Sequence, residues 1–236
     1  MLYLKKIYYK SPFVHWLLKP AVKFNLHYKQ RKQNKLFLKY SSELLVNFKE
    51  ALDSINIRFW LEFGTLLGAI REKDFIKHDL DLDVGMLYSE YTPKVDLALQ
   101  KVGFKKIKSY SVSKGEVALE NVYEYKGIHI DIFFFRKKGN KFICHGFTKD
   151  TSISWEETLL KYNGLLTLEY SFPPFTLEQY IFKGGVFNIP SDVESHLEAY
   201  YGPHYMIPDS AWNPLQDSPN LKLLPSNIIG HVTKYS

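Results

Sequence analysis

The chain has 236 residues, 45% of them apolar and 16% aromatic, including 17 Tyr and 17 Phe. That is enough to core one domain with decorations, and it excludes a disordered or staple-dependent chain. A single cysteine, Cys144, excludes an intramolecular disulfide and a cysteine-rich zinc site and agrees with a reducing compartment. The net charge of +6 is uneven: residues 1–40 carry ten Lys and Arg and no acid, leaving 21 basic against 25 acidic residues elsewhere.

That basic arm, 1–40, places Tyr8, Tyr9, Phe13, Trp16, Leu17, Leu18 and Phe24 among lysines. Lys5, Lys6, Lys10, Lys19 and Lys23 interrupt every apolar stretch, so neither a membrane span nor a secretory signal is expected. Apolar anchors flanked by cations suit an anionic membrane surface, and equally a pair of short helices packed on the body. Nucleic acid ranks below both, because no recognised motif accompanies the charge. The location expected is cytoplasmic, with peripheral contact at the inner face of the membrane.

Ser41 to Asn56 predicts a helix, with Leu44, Leu45, Phe48, Leu52 and Ile55 at helical spacing and Ser41 or Ser42 as cap. Arg58 to Phe63 predicts a short aromatic strand, Gly64-Thr65 a tight turn, and Leu66 to Ile70 the first turns of a helix. From Asp79 to Met86 acid and aliphatic residues alternate, the mark of a strand with two unlike faces. Thr92-Pro93 starts a helix that ends near Gly103. Phe104–Tyr110, Val117–Tyr125, Ile128–Phe135 and Lys141–His145 read as strands, with turns at Lys126-Gly127 and Lys137–Asn140. Past residue 150 the pattern weakens: Pro173-Pro174 breaks it, Asp192–Tyr201 is helical, and the last thirty residues suggest an irregular extended wrap. The fold class expected is therefore α/β or α+β, a mixed sheet flanked by helices. Residues 1–40 form the arm, 41–150 the core, and 151–236 a helical and extended part completing the same domain.

Three carboxylates, Asp79, Asp81 and Asp83, share one face at about 7 Å intervals, and they repel unless a cation lies among them. Mg²⁺ takes oxygen ligands and substrate phosphates, so the spacing suits phosphate transfer, with Mn²⁺ as a substitute. The competing explanation is an edge strand carrying acids for solubility. Gly64 and Thr65, on a strand-to-helix turn just upstream, suit a phosphate cradle. Asp131, inside the apolar run Ile128–Phe133, is costly unless it binds metal or pairs with Lys or Arg. His129 shares its face. Arg71 offers a phosphate-binding fork or is a surface arginine, and Lys77 and His78 stand where they can touch phosphate.

The stretch Phe59–Met86 resembles the signature of the LicD family, which includes bacterial phosphocholine transferases, fukutin and fukutin-related proteins. Gly64, Thr65, Leu66, Leu67, Gly68, Ala69, Arg71, Phe75, Ile76, Asp79, Asp81, Asp83 and Gly85 match its pattern. Gly185–Pro190 followed by Leu197, Tyr201 and Gly202 resembles its C-terminal segment, and Asp131 falls at its later strand aspartate. Lys77-His78 replaces the family's usual Pro-Trp, and Leu80 replaces an acid. The resemblance implies a nucleotidyltransferase-like fold and Mg²⁺ held by Asp81, Asp83 and Asp131. It implies transfer of phosphocholine, phosphoribitol or glycerol phosphate from a CDP-linked donor to a sugar of a cell-surface or lipid-linked glycan, such as capsule or lipopolysaccharide. Asp131 or Asp79 is then the candidate base. The alternatives are a nucleotidyltransferase that leaves NMP on its target, or a non-catalytic module binding a membrane surface.

Overall fold

The structure is a computed structural model that describes residues 12–235, with side chains described from residue 28 onward. Helix α1 runs unbroken through Pro12–Asp53. The start expected at Ser41 is not a start: Ser41 is buried in mid-helix, because the Lys, Gln and Leu residues before it are good helix formers that carry the backbone through. The arm therefore has no structural boundary at residue 40. The expectations at Tyr8 and Tyr9 lie outside the described residues, as do the side chains of Phe13, Trp16, Leu17, Leu18 and Phe24. Among the described residues no helix is long and apolar enough to cross a membrane.

Strand β1 is only Trp60–Leu61, because Phe63 already opens helix α2, Phe63–Leu67, which continues as a wider π-helical turn, Gly68–Glu72. Strand β2, Asp81–Leu87, is followed by helix α3, Pro93–Lys101, capped by the Thr92 side chain accepting from the Lys94 amide. Strands β3 (Lys105–Val112), β4 (Ala118–Tyr125), β5 (Ile128–Lys138) and β6 (Lys141–Thr148) follow, close to the positions their alternation predicts. Helix α4 (Trp155–Tyr162), strands β7 (Leu165–Phe172), β8 (Leu177–Phe182) and β9 (Gly185–Pro190), and helix α5 (Val193–Tyr201) come next.

The expected irregular wrap at the C-terminus is instead a short helix, α6 (Pro214–Asp217), and two strands, β10 (Leu221–Leu223) and β11 (Ile229–Lys234). Strand β10 is too short to show a period, and both strands take their order from partners far away in sequence, β7 and β3. The sheet order is β10-β7-β11-β3-β4-β5-β2-β1-β9-β8, with β6 joining β5 to β7, so part of the hydrogen-bonded path closes on itself.

Two apolar clusters hold this frame. Leu44, Leu45, Phe48 and Leu52 of α1 and Val95 and Leu99 of α3 pack on Leu82, Val84, Met86, Ile130, Ile132 and Phe134 of the central strands. On the other face Trp60, Phe63, Phe135, Cys144, Tyr170 and Phe172 form a second cluster. The polar face of β2 is only partly covered, with Asp81 exposed and Asp83 half-buried.

Gly85 lies directly across from Trp60 in the β1–β2 pairing. A Cβ at Gly85 would stand 2.2 Å from the indole Cε2, and the indole cannot retreat because its Nε1 donates to Glu62 at 2.7 Å. Gly85→Ala is therefore expected to destabilise the fold by about 1–3 kcal/mol. A urea midpoint unchanged from the parent would contradict this packing.

Candidate active site

The expected alternation holds from Asp81 onward; strand β2 begins there, so Asp79, expected on its face, is not part of it. Leu82, Val84 and Met86 are fully buried on the helix side, and Asp81 and Asp83 project from the opposite face. Strand β5 pairs in parallel with β2, setting Asp131 directly across from Asp83 and His129 across from Asp81. Asp79 precedes the strand and approaches from the loop. Strand β4 pairs antiparallel with β5, with Val122 opposite Asp131 and Glu120 opposite Phe133, so Glu120 shares the acidic face. The β2 acids lie on an interior strand, so the edge-strand explanation does not apply.

The segment Glu62–Thr65 grips Asp83 from three sides. The Glu62 amide donates to the Asp83 carbonyl at 3.1 Å, the Gly64 amide to Asp83 Oδ2 at 3.2 Å, and the Asp83 amide to Thr65 Oγ1 at 2.8 Å. The tight turn expected at Gly64-Thr65 is instead the first turn of α2, and the left-handed residue is Phe63, with φ 42°. Glycine at 64 answers a different need: a Cβ there would meet Asp79 Oδ2 at 3.0 Å and Asp83 Oδ2 at 3.3 Å.

Loss of solvent raises every acid of the cluster above the ordinary carboxylate range, and neighbouring acids add to it at Asp79, Asp83, Asp131 and Glu120. Burial pushes Asp79 up to about 6, with Asp81 adding to it and His78 and Arg71 opposing. Burial raises Asp81, opposed by His129. Asp83 is raised well above its usual value by burial and by Asp81, Asp131 and Asp79. Asp131 is raised by burial, then by Glu120 and Asp81, against Lys108. Glu120, also buried, is pushed up to about 8 by desolvation and by Asp83 and Asp81. Asp131 forms no ion pair among the described residues, and its Oδ1 is buried with no hydrogen-bond partner.

Asp79, Asp81, Asp83 and Gly64 line a cavity of about 230 Å³ together with Phe63, Phe133, Tyr170, Tyr200 and Tyr201. Among the described residues, no three His, Cys, Asp or Glu side chains close around one metal position: Asp79, Asp81 and Asp83 line the cavity, whereas Asp131 and Glu120 stand behind them on β5 and β4, outside its lining. Arg71 lies outside the lining: its Nε donates to Glu72 at 2.9 Å and its Nη1 to the Tyr205 carbonyl at 3.1 Å. Lys77 and His78 are exposed and also lie outside the lining, and the Lys77 carbonyl accepts from Asn34 at 2.6 Å. His129 faces Glu124 at 3.9 Å.

The sequence reading missed Glu120 and the aromatic wall. Strand β4 is buried along nearly all its length on both faces, so Glu120 broke no visible alternation. Tyr170, Tyr200 and Tyr201 come from β7 and α5, distant in sequence from the acids they face.

The raised acids bind more protons folded than unfolded at neutral pH, so stability falls as pH rises. Below an unfolded carboxylate value of about 4 their contribution is fully present, and it is lost through about 6 for Asp79 and about 8 for Glu120. Melting temperature in EDTA is expected to fall between about pH 5 and pH 8, and Glu120→Gln to flatten the upper part of that fall. Identical pH profiles for parent and variant would contradict the crowding of Glu120 with the aspartates.

Residues 56–192 match the family model described as LicD/FKTN/FKRP, nucleotidyltransferase domain, a span that includes the Gly64 turn, the acidic strand, Glu120 and Asp131. The chain is 28% identical over 188 residues to mouse ribitol-5-phosphate transferase FKTN, covering 79% of this chain and 38% of that protein. It is 26% identical over 164 residues to human ribitol 5-phosphate transferase FKRP, covering 64% of this chain and 29% of that one. It is 33% identical over 102 residues to the uncharacterized protein RP689 of Rickettsia prowazekii, covering 43% of this chain and 35% of that one. The chain thus spans less than two-fifths of the length of these relatives. With more than half its residues in the match, and with the family's acidic strand at the centre of its sheet, the chain belongs to the LicD/FKTN/FKRP nucleotidyltransferase family.

Proposed function

We propose that this chain is the catalytic domain of a Mg²⁺-dependent transferase that moves an alditol phosphate from a CDP-linked donor onto a sugar of a glycan or lipid-linked acceptor. One observation carries the proposal: Asp131 Oδ1 is buried and unpartnered beside Asp83, among acids that burial and mutual repulsion hold away from charge. A buried carboxylate oxygen without a partner, set among other acids, is costly, and a bound cation offsets that cost. The names of the FKTN and FKRP relatives support ribitol phosphate as the cargo class.

The donor atoms are all carboxylate oxygens, the set that Mg²⁺ takes and that Mn²⁺ accepts. Asp81, Asp83 and Asp131 would hold the ion. When bound, it would offset charge on the donor's diphosphate and on the group in flight. The remaining work belongs to the chain. Gly64, lacking a Cβ, leaves room beside Asp79 and Asp83 for a donor phosphate. Thr65 holds the Asp83 backbone in place. The tyrosines at 170, 200 and 201, which line the same cavity, would limit water, the competing acceptor. Asp79, in the same cavity but on the loop before β2, takes the proton of the acceptor hydroxyl.

The exposed cations of α1, Lys29, Arg31, Lys32, Lys35 and Lys39, together with exposed Tyr28 and Leu38, suit an anionic lipid surface beside a lipid-linked acceptor. Each such cation contributes about 1 kcal/mol near that surface.

Two outcomes are expected. With CDP-ribitol, Mg²⁺ and a sugar acceptor the protein releases CMP and leaves ribitol phosphate on the sugar, and Asp81→Asn, Asp83→Asn and Asp131→Asn each lower turnover by roughly 100-fold or more while folding normally. Near-parental turnover in any of the three, or release of ribitol 5-phosphate with CMP left on the acceptor, would overturn the assignment. Replacing Lys29, Arg31, Lys32 and Lys35 with Gln lowers retention on phosphatidylserine vesicles by about tenfold or more and spares turnover on a soluble acceptor. Unchanged retention would remove the lipid contact.

A further inference from the structure

Phe63 has φ 42°, a left-handed backbone that a bulky aromatic residue adopts only under constraint. The constraint is visible on both sides of it. Glu62, 1% exposed, caps α2 by accepting from the Phe63 amide at 3.2 Å through Oε1, and from the Trp60 indole at 2.7 Å through Oε2. The same Oε1 meets His196 Nε2 at 2.8 Å. A carboxylate can only accept, so His196 Nε2 carries the proton, and its buried Nδ1 has no partner.

His196 is fixed in turn, with its ring stacked on Phe172 at 4.3 Å. One helical turn further along α5, Tyr200 packs against the Phe63 ring at 4.6 Å. The same face of α5 therefore holds the carboxylate before Phe63 and the ring of Phe63 itself. Immediately after the strained residue comes Gly64, whose amide is aimed at Asp83 Oδ2.

We propose that Glu62 and His196 are positioning residues for Asp83: they clamp the left-handed Phe63 backbone and so aim the Gly64 amide at the Asp83 carboxylate. Neither touches the cavity. The pair acts on the metal-binding face only through that turn, much as outer hydrogen bonds orient ligands in metal sites. The consequence for metal affinity rests on the function proposed above, whereas the clamp itself is a property of the metal-free chain.

His196→Phe keeps a ring on Phe172 and deletes only the donor; His196→Gln restores a donor. Two quantities are read: amide hydrogen exchange at Gly64 in the metal-free protein, with the Ile130 amide as reference, and Mn²⁺ affinity by calorimetry. His196→Phe is expected to speed exchange at Gly64 by about tenfold or more with Ile130 unchanged, and His196→Gln to reverse it. The Mn²⁺ dissociation constant is expected to rise by about tenfold or more in the Phe variant. Parental exchange at Gly64 in folded His196→Phe would overturn the clamp. Absence of Mn²⁺ binding to the parent would instead overturn the metal assignment, leaving the exchange result to decide the clamp. Should His196→Phe not fold, Glu62→Gln, which keeps the size and one acceptor oxygen, is read in the same way.

Discussion

Asp83 and Asp131 stand opposite one another on parallel strands, and Asp79, Asp81 and Glu120 crowd the same face. Carboxylates in that arrangement disfavour their own charged forms, and one Asp131 oxygen has no partner at all. Most of the surrounding architecture can be understood as holding this repulsive arrangement still. The aliphatic residues alternating with the acids in β2 anchor the strand into the α1 and α3 core. Gly85 and Trp60 lock β1 to β2, and the turn after β1 binds Asp83 through its amide, its carbonyl and its side chain.

Local strain is placed where it serves that purpose. A left-handed phenylalanine and a buried carboxylate–histidine pair are costly features, and both lie one or two residues from the amide that touches Asp83. Stable folds violate local rules mainly at working sites and compensate for them nearby. Here the compensation is aromatic: Phe63 packs on Phe133, Tyr170 and Tyr200, which also wall the cavity. Core packing and site geometry thus share residues, so changes in the second cluster should reach the chemistry.

What was legible in the sequence follows from which interactions are local. The Asp81–Met86 alternation encodes its own strand and its own two faces, and Thr92-Pro93 encodes its own cap, so both were readable. Asp131 was readable as an anomaly, because an acid in an aliphatic run demands a partner. Glu120 was not, since β4 is buried on both faces and shows no alternation to interrupt. Ser41 misled because a serine can sit inside a helix when the residues before it also favour helix. Strands β10 and β11 exist through pairing with β7 and β3, contacts that no window of sequence contains. Gly64 was readable as a place of close approach; the near neighbours a Cβ would meet there are the Asp79 and Asp83 carboxylates, and the left-handed backbone of the turn falls on Phe63.

The central claim is that the acids of β2 and β5 are gathered for a divalent cation. Anomalous diffraction from crystals grown with Mn²⁺ tests it most directly, because it locates the ion without relying on turnover. The prediction is one strong peak within ligand distance, about 2.2 Å, of oxygens from Asp83 and Asp131. An absent peak at saturating Mn²⁺, with Asp131 paired to Lys108 instead, would contradict it.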